Sequence, residues 1–263
     1  MTTPRGTEIY NLDNKYVTSR GVCYTIDELN RCLKGQVSKI LFDQEGMLII
    51  ENMLSNTSAT GFKNENVKRI LSKKLNPEKW RVGEALAESY LGAHKNCSFP
   101  WNSDRDKKNE NSSLTGADIV GFQKTTGMDN RFAFGEVKTL EEKKYPPSRA
   151  QSLKSQLTNL YTNTNTRDNL VKYLAHRATN SPWQQQFKNS FRRYMKNNSD
   201  VSLFGFMVRD VAPDERDLSS ITHSLSEISA PQPSLELTAL YLPAGSISSF
   251  SSQVMAAAKE GDL

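Results

Sequence analysis

The residues that could carry chemistry fall in two neighbouring segments. Thr115–Gly121 contains Asp118, and Phe132–Lys138 contains Glu136 and Lys138. If the second segment is a strand, Glu136 and Lys138 are two residues apart and project from the same face. Carboxylates suit Mg²⁺ or Mn²⁺, and such an ion can activate water and stabilise charge on a phosphoryl group. The pattern predicts metal-dependent phosphodiester hydrolysis, with both acids as metal ligands and the lysine acting on the water or the developing charge.

A turn must bring these two segments together. The intervening residues include Gly127 and Asp129–Asn130, which are typical turn residues. We therefore predict an antiparallel hairpin that places Asp118 next to Glu136.

A helix upstream supplies a further carboxylate. Asn76–Glu78 has the composition of a helix start, and Gly92 that of a helix end. A helical projection places Glu84 at the edge of the apolar stripe and Glu88 further toward solvent. We predict that Glu84 is a third metal-binding and catalytic carboxylate, with Glu88 as the alternative one turn away. The stripe itself comprises Trp80, Val82, Leu86, Ala87, Tyr90 and Leu91.

In this chain order the motifs resemble the PD-(D/E)XK, or restriction-endonuclease-like, nuclease superfamily. The matching segments are Trp80–Glu88, Gly116–Asp118 and Gly135–Lys138, which span roughly a third of the chain. Ala117 replaces the proline of the family pattern, a change that the family tolerates. The resemblance implies a central mixed sheet flanked by helices, Mg²⁺ dependence, and cleavage of DNA or, less often, RNA.

Within the superfamily, the residues in and around the three motifs are similar to those of HamA-type nuclease subunits of Hachiman antiphage defence systems. That similarity implies a bacterial defence complex with a helicase partner. The chain has no Gly-x-x-x-x-Gly-Lys-Ser/Thr loop, so an ATPase would be a separate subunit. Gln156 and Tyr161 are five residues apart, which does not match the Gln-x-x-x-Tyr helix of RecB-type nucleases. A stand-alone restriction-type endonuclease and a non-cutting nucleic-acid-binding assembly subunit stay open as alternatives.

Charge is unevenly distributed along the chain. The overall net charge is +5, but residues 143–209 carry +10 and residues 210–263 carry −6. The basic helical segment could bind a phosphate backbone, or could simply present solvated basic faces. The acidic part could be solubilising, cover the basic segment or dock a partner. The predicted nucleic-acid-binding residues are Arg177, Lys188, Arg192, Arg193 and Lys196.

Cysteine usage and hydropathy indicate the compartment. Cys23, Cys32 and Cys97 form no Cys-x-x-Cys pair, which favours reduced thiols. No apolar run approaches 18 residues, and no apolar region follows the first residues. We therefore expect a cytoplasmic protein without membrane insertion.

Strands interspersed with helices predict an α/β or α+β fold around one mixed sheet. We assign residues 1–62 to an N-terminal elaboration and residues 63–263 to the nuclease domain. Residues 210–234, which are acidic and rich in serine, are predicted to form a long surface excursion. Helices are predicted over 63–74, from Ser148, over 169–178 and 182–196, and around 250–258; strands are predicted over 201–208 and 235–242.

Overall fold

The computed structural model describes residues 2–56, 77–106, 116–127, 129–228 and 233–260. Seven strands form one mixed sheet in the order β1-β2-β7-β6-β5-β4-β3, which confirms the predicted fold class. The strands are β1 (Thr7–Asn11), β2 (Val17–Cys23), β3 (Cys97–Ser98), β4 (Ile119–Lys124), β5 (Asn130–Leu140), β6 (Val201–Arg209) and β7 (Ser234–Tyr241).

Helices cover both faces of this sheet. Those of the described residues are α1 (Ile26–Cys32), α2 (Ser38–Phe42), α3 (Gln44–Asn56), α4 (Lys79–His94), α5 (Ala150–Thr162), α6 (Thr164–Ala178), α7 (Gln184–Lys196), α8 (Arg216–Ser226) and α9 (Phe250–Glu260). Buried side chains of α5 to α8 form the core on one face, and those of α1, α2, α4 and α9 form the core on the other. No helix in the described ranges is both long and apolar enough to cross a membrane.

Strand β5 positions the predicted chemistry. It pairs antiparallel with β4 and parallel with β6, so it is an inner strand of the sheet. Strands β5, β6 and β7 are parallel to one another, and every residue of β6 is buried. Strands covered on both faces read as continuous apolar runs, which is why β6 was recognisable from sequence. Glu136 and Lys138 lie in the carboxy-terminal half of β5.

The predicted surface excursion over residues 210–234 is wrong. This stretch contains α8, whose Leu218, Ile221 and Leu225 are buried in the core. These leucine and isoleucine positions follow helical spacing. The serines of α8 lie mostly outside the core, and its acid, Asp217, is buried, so composition alone did not reveal the packed face of this helix.

Two predicted helix boundaries also differ from the structure. Helix α4 begins at Lys79 and continues through Gly92 to His94, so Gly92 does not end it. Ser148 does not cap α5, because its backbone N–H and hydroxyl both donate to Glu142, at 2.7 and 2.8 Å. The predicted helix over 63–74, and Asn76, lie outside the described residues.

The two ends of the chain both contribute to the central sheet. Strand β2 pairs in parallel with β7, so the N-terminal segment extends the sheet. In the acidic C-terminal part, Asp217 forms a fully buried ion pair with Arg209 at 2.8 Å. Asp210 is also buried and accepts a hydrogen bond from the backbone N–H of Ile247 at 3.1 Å. These acids are part of the fold.

Two glycines of α4 should respond oppositely to replacement by alanine. A Cβ at Gly83 would lie 1.9 Å from Thr139 Oγ1 of β5, whereas a Cβ at Gly92 would meet only Cys97 O, at 3.7 Å. We expect Gly83→Ala to lower the free energy of unfolding by about 1–3 kcal/mol through overpacking. Gly92→Ala should raise it by up to about 1 kcal/mol through helix propensity. Urea denaturation of both variants checks this, and a stable Gly83→Ala protein would contradict the close approach of α4 to β5.

Candidate active site

The β4–β5 hairpin places Asp118 beside Glu136, as predicted. Ile119 pairs with Gly135, and extending that register by one residue sets Asp118 opposite Glu136. Asp118 lies immediately before β4 and not within it. The backbone N–H of Val137 donates to Asp118 Oδ2 at 2.8 Å, which fixes this carboxylate against β5.

Three oxygen atoms surround the ammonium group of Lys138. Its Nζ lies 3.5 Å from Asp118 Oδ2, 3.5 Å from Glu136 Oε2 and 3.1 Å from the carbonyl oxygen of Val137. Two carboxylates and a carbonyl thus converge on one positively charged atom. The structure therefore contains a point where oxygen ligands favour a cation.

Glu136 is the most buried acid of this group, with 3% of its surface exposed. Burial raises its pKa to about 8, repulsion from Asp118 adds to the increase, and Lys138 opposes it. The carboxyl group therefore holds a proton at neutral pH when no metal is bound.

The raised pKa of Glu136 predicts how stability depends on pH in EDTA. Between about 4.5 and about 8, the folded protein binds a proton that the unfolded chain releases. The contribution of this proton to the free energy of unfolding is therefore complete below pH 4.5 and is lost as the pH rises to about 8. The free energy of unfolding falls over this range by at most about 1.4 kcal/mol per pH unit. We expect Glu136→Gln to flatten this part of the curve, whereas exposed Glu45→Gln should not. Denaturation at several pH values measures it, and an unchanged slope in Glu136→Gln would contradict the assignment.

Glu84 and Glu88 of α4 share one buried partner, Arg81. Its guanidinium group lies 3.3 Å from Glu84, 3.1 Å from Glu88 and 3.0 Å from Asp104, and donates to Asn102 at 3.3 Å. Opposite charges at this spacing hold all three carboxylates around the guanidinium group.

The expectation that Glu88 faces solvent is wrong. Its side chain is 15% exposed, close to the 12% of Glu84, because Arg81 draws both acids inward. Burial raises the pKa of Glu88, and the charge of Arg81 acts against that increase. Trp80, assigned to the buried stripe, is instead 39% exposed.

Two cavities meet at Asp118. The first, which we call the active cleft, has a volume of about 410 Å³, and its lining includes Glu84, Asp118, Lys138, Arg149 and Ser152. The second, which we call the aromatic pocket, has a volume of about 350 Å³. Its lining includes Asp118, Phe99, Trp101, Asn169, Leu170 and Tyr173.

The donor set near Lys138 is compatible with Mg²⁺ or Mn²⁺. Within the described ranges, no three His, Cys, Asp or Glu side chains group together as a metal site. Mg²⁺, however, commonly uses one or two carboxylates and completes its shell with water and substrate phosphate. Asp118, Glu136 and the Val137 carbonyl satisfy that requirement, since they already converge on a cationic nitrogen. Because the Glu84 carboxylate pairs with Arg81, its role as a third metal ligand stays a prediction.

Two of the predicted nucleic-acid-binding residues are engaged in ion pairs. Arg177 donates to Asp106 at 2.7 Å, and Arg193 donates to Asp200 at 2.7 and 3.0 Å. Both arginines are only partly exposed. Their charges are therefore balanced locally before any ligand binds.

The other three predicted residues form an exposed basic stripe away from the cleft. Lys188, Arg192 and Lys196 recur every four residues along α7 and are exposed. Helix α7 packs against Phe132, at the amino-terminal end of β5 and four residues before Glu136. The structure thus separates this stripe from the active cleft along the strand, and its nucleic-acid binding stays a prediction.

Sequence reasoning missed Arg81, Asp104 and Arg149. The spacing of Arg81 to Glu84 and Glu88, three and seven residues, is helical and could have indicated their pairing. Asp104 lies 23 residues from Arg81, so no local sequence pattern connects the two. Arg149 reaches the cleft only through the placement of α5.

Comparison with known proteins adds no family assignment. No protein-family model matches the chain, and a search of curated proteins finds no significant relative.

Proposed function

We propose that this chain is a Mg²⁺- or Mn²⁺-dependent nuclease that hydrolyses phosphodiester bonds of DNA, with RNA as the alternative substrate. The observation that carries the proposal is the convergence of Asp118, Glu136 and the Val137 carbonyl on Lys138 Nζ. A site of this kind attracts a divalent ion and retains a basic group next to it. Both features serve attack on a phosphate.

The active cleft also offers groups for the phosphate itself. Exposed Arg149 and Ser152 lie at the amino-terminal end of α5 and line the cleft with Lys138. Helix amino termini carry partial positive charge and bind anions. A guanidinium group can donate two parallel hydrogen bonds to two oxygens of one phosphate. We assign these residues to binding the scissile phosphate.

The catalytic roles follow from position and charge. A bound divalent ion would polarise the phosphate and lower the pKa of the attacking water. Asp118 and Glu136 would hold the ion, and Glu136 must lose its proton to do so. In this proposal Lys138, whose Nζ lies 3.5 Å from each of the two acids, orients the attacking water and balances their charge.

The biological setting in this proposal is a bacterial antiphage defence complex in which a separate helicase acts with this chain. The similarity of the residues around Glu84, Asp118 and Glu136 to such nuclease subunits supports this part of the proposal. The sequence contains no P-loop motif, which fits a separate helicase. An exposed basic stripe on α7 is available for a second contact with nucleic acid or a partner. Co-purification with a neighbouring helicase would support this part of the proposal.

The assay for the proposed activity uses purified full-length protein. Linear and circular DNA, single- and double-stranded, and matched RNA are incubated with Mg²⁺, Mn²⁺ or EDTA. We expect cleavage with either metal ion and none in EDTA. Discrete fragments would indicate a restriction-type endonuclease. Salt-sensitive binding without cleavage, alone and with a helicase partner, would reject the nuclease and favour a binding subunit.

A further inference from the structure

The aromatic pocket shares Asp118 with the active cleft but has a different character. Phe99, Trp101, Leu170 and Tyr173 supply apolar surface, and the exposed Asn169 supplies an amide at its rim. Its volume of about 350 Å³ lies in the range of small-ligand sites. The phosphate chemistry assigned to the cleft does not use this pocket.

The aromatic walls are fixed by one carboxylate. Asp106 accepts hydrogen bonds from Trp101 Nε1 at 3.1 Å, from the Tyr173 hydroxyl at 2.6 Å and from Arg177 at 2.7 Å. The guanidinium carbon of Arg177 also lies 3.6 Å from the centre of the Tyr173 ring. Burial acts to raise the pKa of Asp106, but these hydrogen bonds hold it below its ordinary value, so the acceptor stays charged. The two rings are therefore held in place before any ligand arrives.

One face of α6 supplies four residues of the pocket lining, among them Tyr173. Thr166, Asn169, Leu170 and Tyr173 follow the spacing i, i+3, i+4 and i+7, so they lie on one side of the helix. This face has a hydroxyl and an amide besides the leucine and the tyrosine. The aromatic surfaces suit a flat ring, and the polar groups suit the hydrogen-bonding edge of that ring.

From this geometry we infer that the aromatic pocket binds the nucleobase of a nucleotide adjoining the scissile phosphate. This inference rests on the proposed function, because it requires a phosphodiester in the active cleft. A base inside a duplex is stacked and paired and cannot enter such a pocket without being extruded. The favoured substrate class is therefore single-stranded or locally unpaired nucleic acid, such as a free end, a bulge or a mismatch.

Base removal from the substrate tests the pocket directly. Single-stranded oligonucleotides with one abasic residue, moved stepwise across the cleavage site, are compared with the intact strand by kcat/KM. We expect a loss of about tenfold at one position flanking the cut, the size typical of a lost base–aromatic stack. Trp101→Leu should lower kcat/KM for the intact strand by about the same factor. It should lower kcat/KM for the abasic strand little further, because both changes remove the same base–ring contact. Trp101→Phe loses the indole N–H but keeps a ring, and should retain the base preference.

A second variant guards against misfolding of the Trp101 mutant. Asn169 is exposed at the rim, so Asn169→Trp can fill the mouth of the pocket without disturbing the core. It should lower cleavage of the intact strand to the abasic level. The same substitution at exposed Asn198, which is not part of the pocket lining, is the matched control.

The possible failures are distinguishable. Equal cleavage of intact and abasic strands at every position would overturn the base pocket and leave the nuclease standing. If wild type cleaves no substrate with Mg²⁺ or Mn²⁺, the proposed function fails. Whether the pocket binds a base is then tested by a binding experiment without cleavage. A 2-aminopurine base should change fluorescence on stacking beside Trp101 in wild type and not in Trp101→Leu. Unchanged fluorescence at saturating protein would overturn the pocket as well.

Discussion

Replacing Glu136 with glutamine should lower metal-dependent cleavage by about 10²–10³-fold or more while the protein stays folded. The carboxylate is one of the two acids that converge on Lys138, and an amide cannot supply its negative charge to a metal ion. Glutamine has nearly the same shape as the protonated acid, and burial already favours the neutral form of Glu136. The free energy of unfolding of Glu136→Gln should therefore match that of wild type below about pH 4.5 and be at least as high at neutral pH.

Lys138→Met should cause a comparable loss of cleavage, and the double variant with Glu136→Gln should be no worse than either single change. When two groups act together in one catalytic step, removing either one already removes the rate enhancement that both provide. Initial cleavage rates in Mg²⁺, with thermal unfolding of each variant, measure both effects. Glu141→Gln makes the same acid-to-amide change on a carboxylate whose side chain is 43% exposed, just beyond β5, and should cleave normally. Full activity in a folded Glu136→Gln protein would exclude this site.

Arg81→Met should lower the free energy of unfolding by about 3–5 kcal/mol, the largest effect on stability that we expect from a site-proximal change. The substitution leaves Glu84, Glu88 and Asp104 close together without the guanidinium group that neutralises them. All three side chains are less than 20% exposed, so water can screen their repulsion only in part.

The same helix provides a control for that prediction. Lys79 pairs with Glu141 at 2.8 Å, but these side chains are 47% and 43% exposed. Exposed pairs contribute about 0–1 kcal/mol, so Lys79→Met should hardly change the urea midpoint. Equal losses in the two variants would show that the environment of Arg81 is no more buried than that of Lys79. A partial recovery of stability at acidic pH in Arg81→Met would confirm that repulsion between carboxylates causes the loss.

The sequence could predict the parts of the site that depend on local pattern. Alternation identified β5, and turn residues identified its hairpin with β4, so the neighbourhood of Asp118, Glu136 and Lys138 followed. The continuous apolar run of β6 likewise identified a buried strand.

The parts that were missed depend on contacts between distant segments. A helical projection treats each residue of α4 by its polarity alone, so it could not show that Arg81 draws Glu88 inward through a contact shared with Asp104. Composition misled in a similar way at α8, where the buried leucines matter more than the serines around them. Net charge was also an incomplete guide, since Arg177 pairs with Asp106, which lies outside residues 143–209, and Arg193 pairs with Asp200.

The two outer strands of the sheet bear on how this protein can meet other chains. Strand β3 has only two residues, and β1 has five residues, an irregular register around Glu8 and Tyr10, and a charged side chain. Edge strands that are short, irregular and charged disfavour pairing with a strand of another chain, and so disfavour aggregation through the sheet edge. An assembly partner is therefore expected to contact the helical layers, where it could bind without extending the sheet.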